Sequence, residues 1–265
     1  MTRQEILHTA LTQSALESGC SPADFLGDTP CVVRSRPHPA ARRYLELPFL
    51  CDLTSYGNAV VASVAPGLEA AVGDYLARYR PEHCFETPNL HVLSALLRPH
   101  GADVCFMAEY FLPDPAALRP RPLPSGYTLR LLDAAALAAL PPDPWPNALT
   151  RSPARPDVLG LGAFEGDTLH ALAACSADCD TMWQIGVDVH PAHRRRGLAA
   201  ALTARLALAV LERGKVPFYC CAWSNLASAR TAVAAGFFPA WVQVTAKPRD
   251  FIDRLNAEQA ARLPD

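Results

Sequence analysis

The stretch Ile185-Gly-Val-Asp-Val-His-Pro-Ala-His-Arg-Arg-Arg-Gly-Leu-Ala-Ala200 decides the fold of this 265-residue chain. An apolar strand ends at Val189, a proline turn follows, and a short basic loop opens directly into a long helix. The first N–H groups of a helix have no internal acceptor, and the helix dipole adds partial positive charge there. Gly197 lets a ligand approach the backbone, Leu198 follows it, and Ala199 and Ala200 keep the first turn uncluttered. The arrangement suits a diphosphate, with Arg194, Arg195 and Arg196 adding charge. Spacing alone is equally compatible with an ordinary basic helix start.

Outward from this stretch, elements alternate. Met182–Val189 is apolar at nearly every position after Gln184, as a central buried strand is. Arg196 to Arg213 reads as a helix, because Leu198, Leu202, Leu206 and Val210 recur every four residues and Gly214 supplies a stop. Val216–Trp223 is a strand, Asn225–Ala235 a helix closed by Gly236, and Phe238–Ala246 a last strand. Upstream, Tyr127–Leu132, Val158–Phe164 and Thr168–Ser176 are strands, and Asp133 caps a short helix from Ala134 to Leu140. Strand, helix, strand, helix, strand implies parallel pairing through crossover helices, and hence an α/β class with a mixed sheet.

The first half is weaker: a strand at Ala59–Val64, helices at Gly67–Tyr79 and Leu90–Leu97, and a strand at Val104–Leu112. Its ending, helix then glycine then apolar strand (His100-Gly-Ala-Asp-Val104), parallels Ala235-Gly-Phe-Phe238. A degenerate duplication and two unrelated α/β segments both account for it. Eleven of the 25 prolines fall between Pro113 and Pro156, which excludes long helices and central strands there. The expected organisation is an α/β domain over 1–112, a proline-rich linker over 113–126, a domain over 127–246 and a helical tail over 247–265.

Composition narrows the function. Half the residues are hydrophobic and the formal net charge is −2, so bulk positive potential for a nucleic acid is missing. The longest apolar run, Leu198 to Leu211, is broken by Arg205 and falls short of the ~20 residues of a membrane span. Nine scattered cysteines without a C-x-x-C pair read as reduced thiols in a cytoplasmic protein, with neither a metal site nor a disulfide framework. The 22 arginines against 2 lysines reflect genome base composition.

Arg194-x-x-Gly197-x-Ala199 after Val187-Asp-Val189 resembles the acyl-CoA-binding loop of the GNAT superfamily of N-acyltransferases. The second block of that family is matched by Asn225-Leu-Ala-Ser228 followed by Gly236-Phe237, and the order of elements from Tyr127 to Ala246 is similar to the GNAT fold. Gln184–Val189 with Phe237–Trp241 resembles, within that superfamily, a bacterial subgroup of zwittermicin-resistance-type acetyltransferases. The resemblance implies a GNAT fold in the C-terminal half, preceded by a smaller α/β domain that is compatible with a degenerate GNAT-like repeat. It implies acetyl-CoA as co-substrate, no metal, and direct attack of a small-molecule or peptide amine on the thioester. Under it, the amides of Arg194 to Ala200 hold the diphosphate, Val187 and Val189 pair with the pantetheine arm, and Asn225 contacts the arm's amides. Met182–Val189 and Val216–Trp223 would splay to form a slot, with Trp183 and Ile185 on its acceptor side. No nucleic acid or membrane partner is implied, and a homodimer is compatible.

The chain departs from the family pattern where catalysis is concerned. The usual tyrosine before the Gly-Phe pair is Ala232, and the strand positions that carry a base elsewhere are Trp183 and Ile185. Ser228 is the candidate replacement for the acid, against a plain surface serine; the base is a water or a carboxylate from the N-terminal half. Asp188 points away from Val187 and Val189 and is expected to pair with a loop or a helix rather than with substrate. His190 and His193 read as solvated turn residues. These departures motivate a rival reading, a catalytically silent acyl-CoA-binding sensor. The first half has no basic loop, since Val64 runs into Ala65-Pro-Gly-Leu-Glu69, so one coenzyme site per chain is expected.

Overall fold

A computed structural model describes residues 1–141 and 143–261; Pro142 of the stiffened segment and residues 262–265 of the expected tail lie outside the described residues. In chain order the elements are α1 (Arg3–Ser18), β1 (Cys31–Arg34), β2 (Cys51–Ser55), β3 (Val60–Val64), α2 (Glu69–Arg78), α3 (Thr87–Leu97), β4 (Ala102–Pro113), β5 (Thr128–Asp133) and α4 (Ala134–Ala139). They continue with β6 (Asp157–Glu165), β7 (Thr168–Ser176), β8 (Met182–Val189), α5 (Leu198–Glu212), β9 (Val216–Ala222), α6 (Leu226–Ala235), β10 (Phe237–Pro248) and α7 (Arg249–Ala260). The chain forms two compact units: one of residues 1–13, 40–44 and 109–240, the other of 14–39, 45–108 and 241–265.

In the first unit, β5, β6, β7 and β8 form an antiparallel run. β8 then pairs in parallel with β9, and β9 has β4 as its other neighbour. The crossover expected between β8 and β9 is present, whereas β10 is not beside β9. The stripe of α5 is buried as its spacing predicts: Leu198, Leu202, Leu206 and Val210 are all 1% exposed or less. They join Ile185, Tyr219 and Cys221 in one core cluster, so the odd-numbered positions of both strands face α5. The opposite face is covered by the segment after α4, where Trp145, Ala148 and Leu149 cluster with Leu137, Leu172 and Ala174. Asp133 caps α4 as expected, accepting from the Ala136 N–H at 2.8 Å.

The proline-rich segment 113–126, expected as an extended linker, lies inside this unit. Leu118 is buried in the α5 core cluster, and the Arg205 guanidinium donates to the Arg121 carbonyl at 2.9 Å. Gly236 permits the approach, because a Cβ there would lie 2.9 Å from the Leu118 Cα. Proline stiffens this segment without detaching it.

In the second unit, β1 and β3 are parallel, β3 and β2 antiparallel, and β2 pairs antiparallel with residues 242–246 of β10. Its core gathers Leu53, Ala62, Val72, Tyr75, Leu93 and Val244. At the start of α2 the Gly67 N–H donates to the Glu69 carboxylate at 2.6 Å. The Arg34 guanidinium holds the same carboxylate at 2.8 and 2.9 Å, and the bond from Glu69's own backbone N–H, with those from Arg34 and Gly67, keeps it below the usual carboxylate range.

Candidate functional site

The first unit contains a cavity of about 1010 Å³. Its origin is the register of β8 and β9, which pair over Met182–Val216, Trp183–Pro217 and Gln184–Phe218 only. Past Gln184, β8 continues to pair with β7 as far as Val189, but has no partner on its other edge among the described residues. The two strands therefore part into a fork, and the Gln184 side chain reaches across it, donating to Cys220 Sγ at 3.1 Å. An unpaired strand edge in a groove can take an extended ligand as an added strand.

At the α5 end the cavity is lined by Arg194, Arg195, Gly197, Leu198, Ala199 and Ala200. Arg195 (φ +60°) and Gly197 (φ +84°) both adopt left-handed backbone, a conformation uncommon for arginine. The helix that follows has its first N–H groups without internal acceptors, which suits an anion. A Cβ on Gly197 would meet no atom within 4 Å, so the space in front of the loop is open. The Leu198 side chain is buried in the core, so only its backbone is available to a ligand. Arg194 Nε donates to the Val189 carbonyl at 3.0 Å, which ties the loop to the end of β8 and engages the acceptor that Val189 would have offered. Val187 stays on the cavity wall.

Two expected site residues lie outside that lining. Arg196 turns back, donating to the Tyr127 hydroxyl and the Ala192 carbonyl at 3.2 Å each. Trp183 packs against the α5 core cluster, because its odd position on β8 points it there. Ile185 borders the cavity but is 1% exposed. His190 is exposed as expected, whereas His193 is half-buried. His193 stacks on His170 with centroids 3.8 Å apart and hydrogen-bonds Tyr127 through Nδ1. Desolvation, with help from His170 and Arg196, lowers the His193 pKa and favours its neutral form.

On the other flank, Asn225 caps α6, its Oδ1 accepting from the Ser228 N–H at 3.1 Å. Asn225 also lines the cavity. Ser228 is not a plain surface serine: its Oγ lies 2.7 Å from the Tyr219 hydroxyl, and both line the cavity. Tyr219 was not singled out from the sequence. Its signal was available, since it shares strand parity with Cys221 and faces the helix that carries Ser228. Burial raises the Tyr219 pKa, so the phenol keeps its proton at neutral pH. Burial also pushes the thiol of Cys220, which retains some exposure, up to about 12, so it is not a thiolate nucleophile.

Asp188 pairs with a loop as its alternation implies. Its carboxylate accepts from the Asn147 N–H (2.8 Å), the Asn147 side-chain amide (2.6 Å) and the Ala148 N–H (2.8 Å). Those bonds seat the proline-rich segment as the cavity wall opposite α5. No group of three or more His, Cys, Asp or Glu suited to a metal occurs among the described residues, and no described helix is long and apolar enough to cross a membrane.

Residues 119–239 match the family model for GNAT acetyltransferases. No curated protein matches the chain. Among solved structures, the chain is similar to a GCN5-related N-acetyltransferase from Kribbella flavida at 21% identity and TM-score 0.42, with 59% of this chain and 63% of that one covered. The chain thus spans less than two thirds of that protein. It is similar also to a GCN5-related N-acetyltransferase-like protein from Streptococcus suis (21% identity, TM-score 0.45, 62% and 69% covered). A tandem GNAT protein from the clavulanic acid biosynthesis pathway is similar over 92% of this chain and 95% of its own, at 17% identity and TM-score 0.47.

Proposed function

We propose, from the premise that residues 119–239 are a GNAT acetyltransferase segment, that this chain is an acetyl-CoA-dependent N-acetyltransferase acting on an amine. The observation that carries the reading is the fork: a strand pair that parts after three residues, directly beside a basic helix start. The narrower membership, in the bacterial zwittermicin-resistance-type subgroup, is supported by Gln184–Val189 and Phe237–Trp241 alone.

The residues divide the work. The backbone of Arg195 to Ala200 and the guanidinium of Arg194 bind diphosphate; the free edge of β8 at Val187, with the Asn225 amide, aligns an extended pantetheine arm. Bound acetyl-CoA supplies a thioester that an amine can attack directly. The protein then contributes alignment of two reactants and proton handling. The Tyr219–Ser228 pair holds a proton beside the fork, in position to deliver it to a leaving thiolate. With Trp183 and Ile185 unable to titrate, the amine proton leaves to cavity water. Glu109 on β4, whose pKa burial raises, does not line the cavity.

Tyr219→Phe is expected to lower kcat about 30-fold with unchanged acetyl-CoA affinity. That is below the ~10²–10⁴-fold range of general acid–base groups, because a thiolate leaves readily without full protonation. Steady-state kinetics with parallel calorimetry checks it; an unaltered kcat removes Tyr219 from the mechanism. The silent-sensor alternative is favoured by the missing tyrosine at Ala232 and is separated by one assay. Acetyl-CoA is incubated with an amine panel while free thiol is followed. Amine-dependent thiol release supports transfer, whereas tight binding without release across the panel supports the sensor.

The start of α2 supports one coenzyme site per chain. Its amide at Gly67 is already occupied by the Glu69 carboxylate, where a diphosphate would be repelled.

A further inference from the structure

We propose that His193 is a binding residue that takes up a proton when a diphosphate settles on the loop before α5, so that coenzyme affinity is linked to pH; the proposal rests on the coenzyme reading above. His193 closes the turn Pro191–His193 directly before Arg194, and it lines the same cavity as Arg194 and Gly197. Its ring lies parallel to that of His170, 3.8 Å away, with His190 edge-on at 5.9 Å and Tyr127 at 5.8 Å. The hydrogen bonds there fit either protonation state. Arg196 can only donate, and it gives an N–H to the Tyr127 oxygen at 3.2 Å. The Tyr127 hydroxyl keeps its own proton for Nδ1 of a neutral His193. When Nδ1 is protonated, the second lone pair of the same oxygen accepts from it and the hydroxyl proton rotates away. The contact survives with its direction reversed, so protonation requires no rebuilding of the loop.

Environment and charge oppose the proton in the free chain. Desolvation comes first, and the groups facing the ring are His170 from β7, Arg196 from the loop and His190 from the turn. Arg194 and Arg195 follow His193 directly in the chain. Two imidazoles stacked this closely resist holding two charges. Glu165, at the end of β6, favours the proton, but its Oε2 lies 3.6 Å from Nε2 of His170. Asp188, the acid in the cavity lining, accepts from three N–H donors of Asn147 and Ala148. A bound diphosphate reverses the balance. It brings negative charge to the loop beside His193, and an opposite charge favours the protonated ring. His193 lines the cavity whereas His170 and His190 do not, so the anion acts first on His193. The proton comes from solvent. A complex that holds more protons than its free parts binds more tightly as pH falls.

The test is calorimetry with acetyl-dephospho-coenzyme A, which keeps the diphosphate and lacks the 3′-phosphate, a group that itself titrates near neutral pH. Titrations near neutral pH in buffers of different ionisation enthalpy count the protons taken up. The expected uptake is about half a proton or more per ligand, with affinity rising about tenfold from about pH 8 to about pH 6. His193→Asn offers an oxygen in place of Nδ1 to the Tyr127 hydroxyl but cannot take a proton. It should abolish the uptake and flatten the pH profile. The proposal is overturned if binding takes up no proton, or if H193N retains the uptake. Should H193N fail to fold, NMR of the wild-type histidine rings decides. The ring with cross-peaks to Tyr127 should titrate at higher pH with ligand than without, and an unmoved titration overturns the proposal. Absence of binding would remove the coenzyme reading together with this one, whereas binding without proton uptake removes this one alone.

Discussion

Replacing Gly197 with valine is expected to weaken acetyl-CoA binding by at least about 100-fold. Two effects act in the same direction. Gly197 has φ +84°, where a β-branched residue is strained by about 1–3 kcal/mol and would pull the loop toward a different backbone. A loop that relaxes this way withdraws N–H groups from the anion, and charged hydrogen bonds contribute about 1.5–3 kcal/mol each. A Cβ at this position also projects into open space in front of the helix start, where no protein atom lies within 4 Å and a diphosphate would sit. The fold should survive, because Leu198, Leu202 and Leu206 hold α5 in the core independently of the loop. Calorimetry with acetyl-CoA, beside circular dichroism for the fold, measures both. Wild-type affinity in a folded variant would mean that the loop does not hold the coenzyme.

Gly186→Ala is expected to destabilise the chain by about 3 kcal/mol, the upper end for overpacking a close contact. The built Cβ would stand 1.9 Å from the Asn147 carbonyl oxygen and 2.8 Å from its carbon, both backbone atoms that cannot rotate away. Either the 145–150 segment lifts, losing its three hydrogen bonds to Asp188 and the burial of Trp145 and Leu149, or β8 shifts and the fork changes width. Both routes damage the acceptor side more than the coenzyme side. Denaturant titration should show the lowered midpoint, and the folded fraction should show a raised KM for amine with acetyl-CoA affinity retained. An unchanged midpoint would mean that the wall is not seated on β8 as described.

The strand–loop–helix unit was legible because its signals are local. The four-residue stripe of α5, the glycine before it and the apolar run of β8 each sit within one element, and the turn chemistry agrees with them. Elements before Ala59 were not legible. α1 buries Gln13, Ser14, Glu17 and Ser18 beside Ile6 and Ala10, so no clean apolar stripe marks it. β2 finds its partners in β3 and in a segment of β10 some 190 residues later, a pairing without local trace. The packing of 113–126 has no local trace for the same reason. Proline density reports stiffness, while the seat for Leu118 is provided by Gly236, far along the chain.

At the site, the basic loop before α5 was legible as a local motif, and the Tyr219–Ser228 pair only in half. Ser228 was reached through a position in a motif, but its partner Tyr219 depends on which face of β9 turns toward α6. Trp183 was expected beside the acceptor, and strand parity places it against α5 instead.

Titration of the wild-type chain with acetyl-CoA in a calorimeter tests most directly the claim that the fork and the α5 loop form the coenzyme site. The predicted result is one equivalent bound per chain, reduced at least about 100-fold in affinity by G197V. No binding, or two equivalents per chain with G197V removing neither, would contradict it.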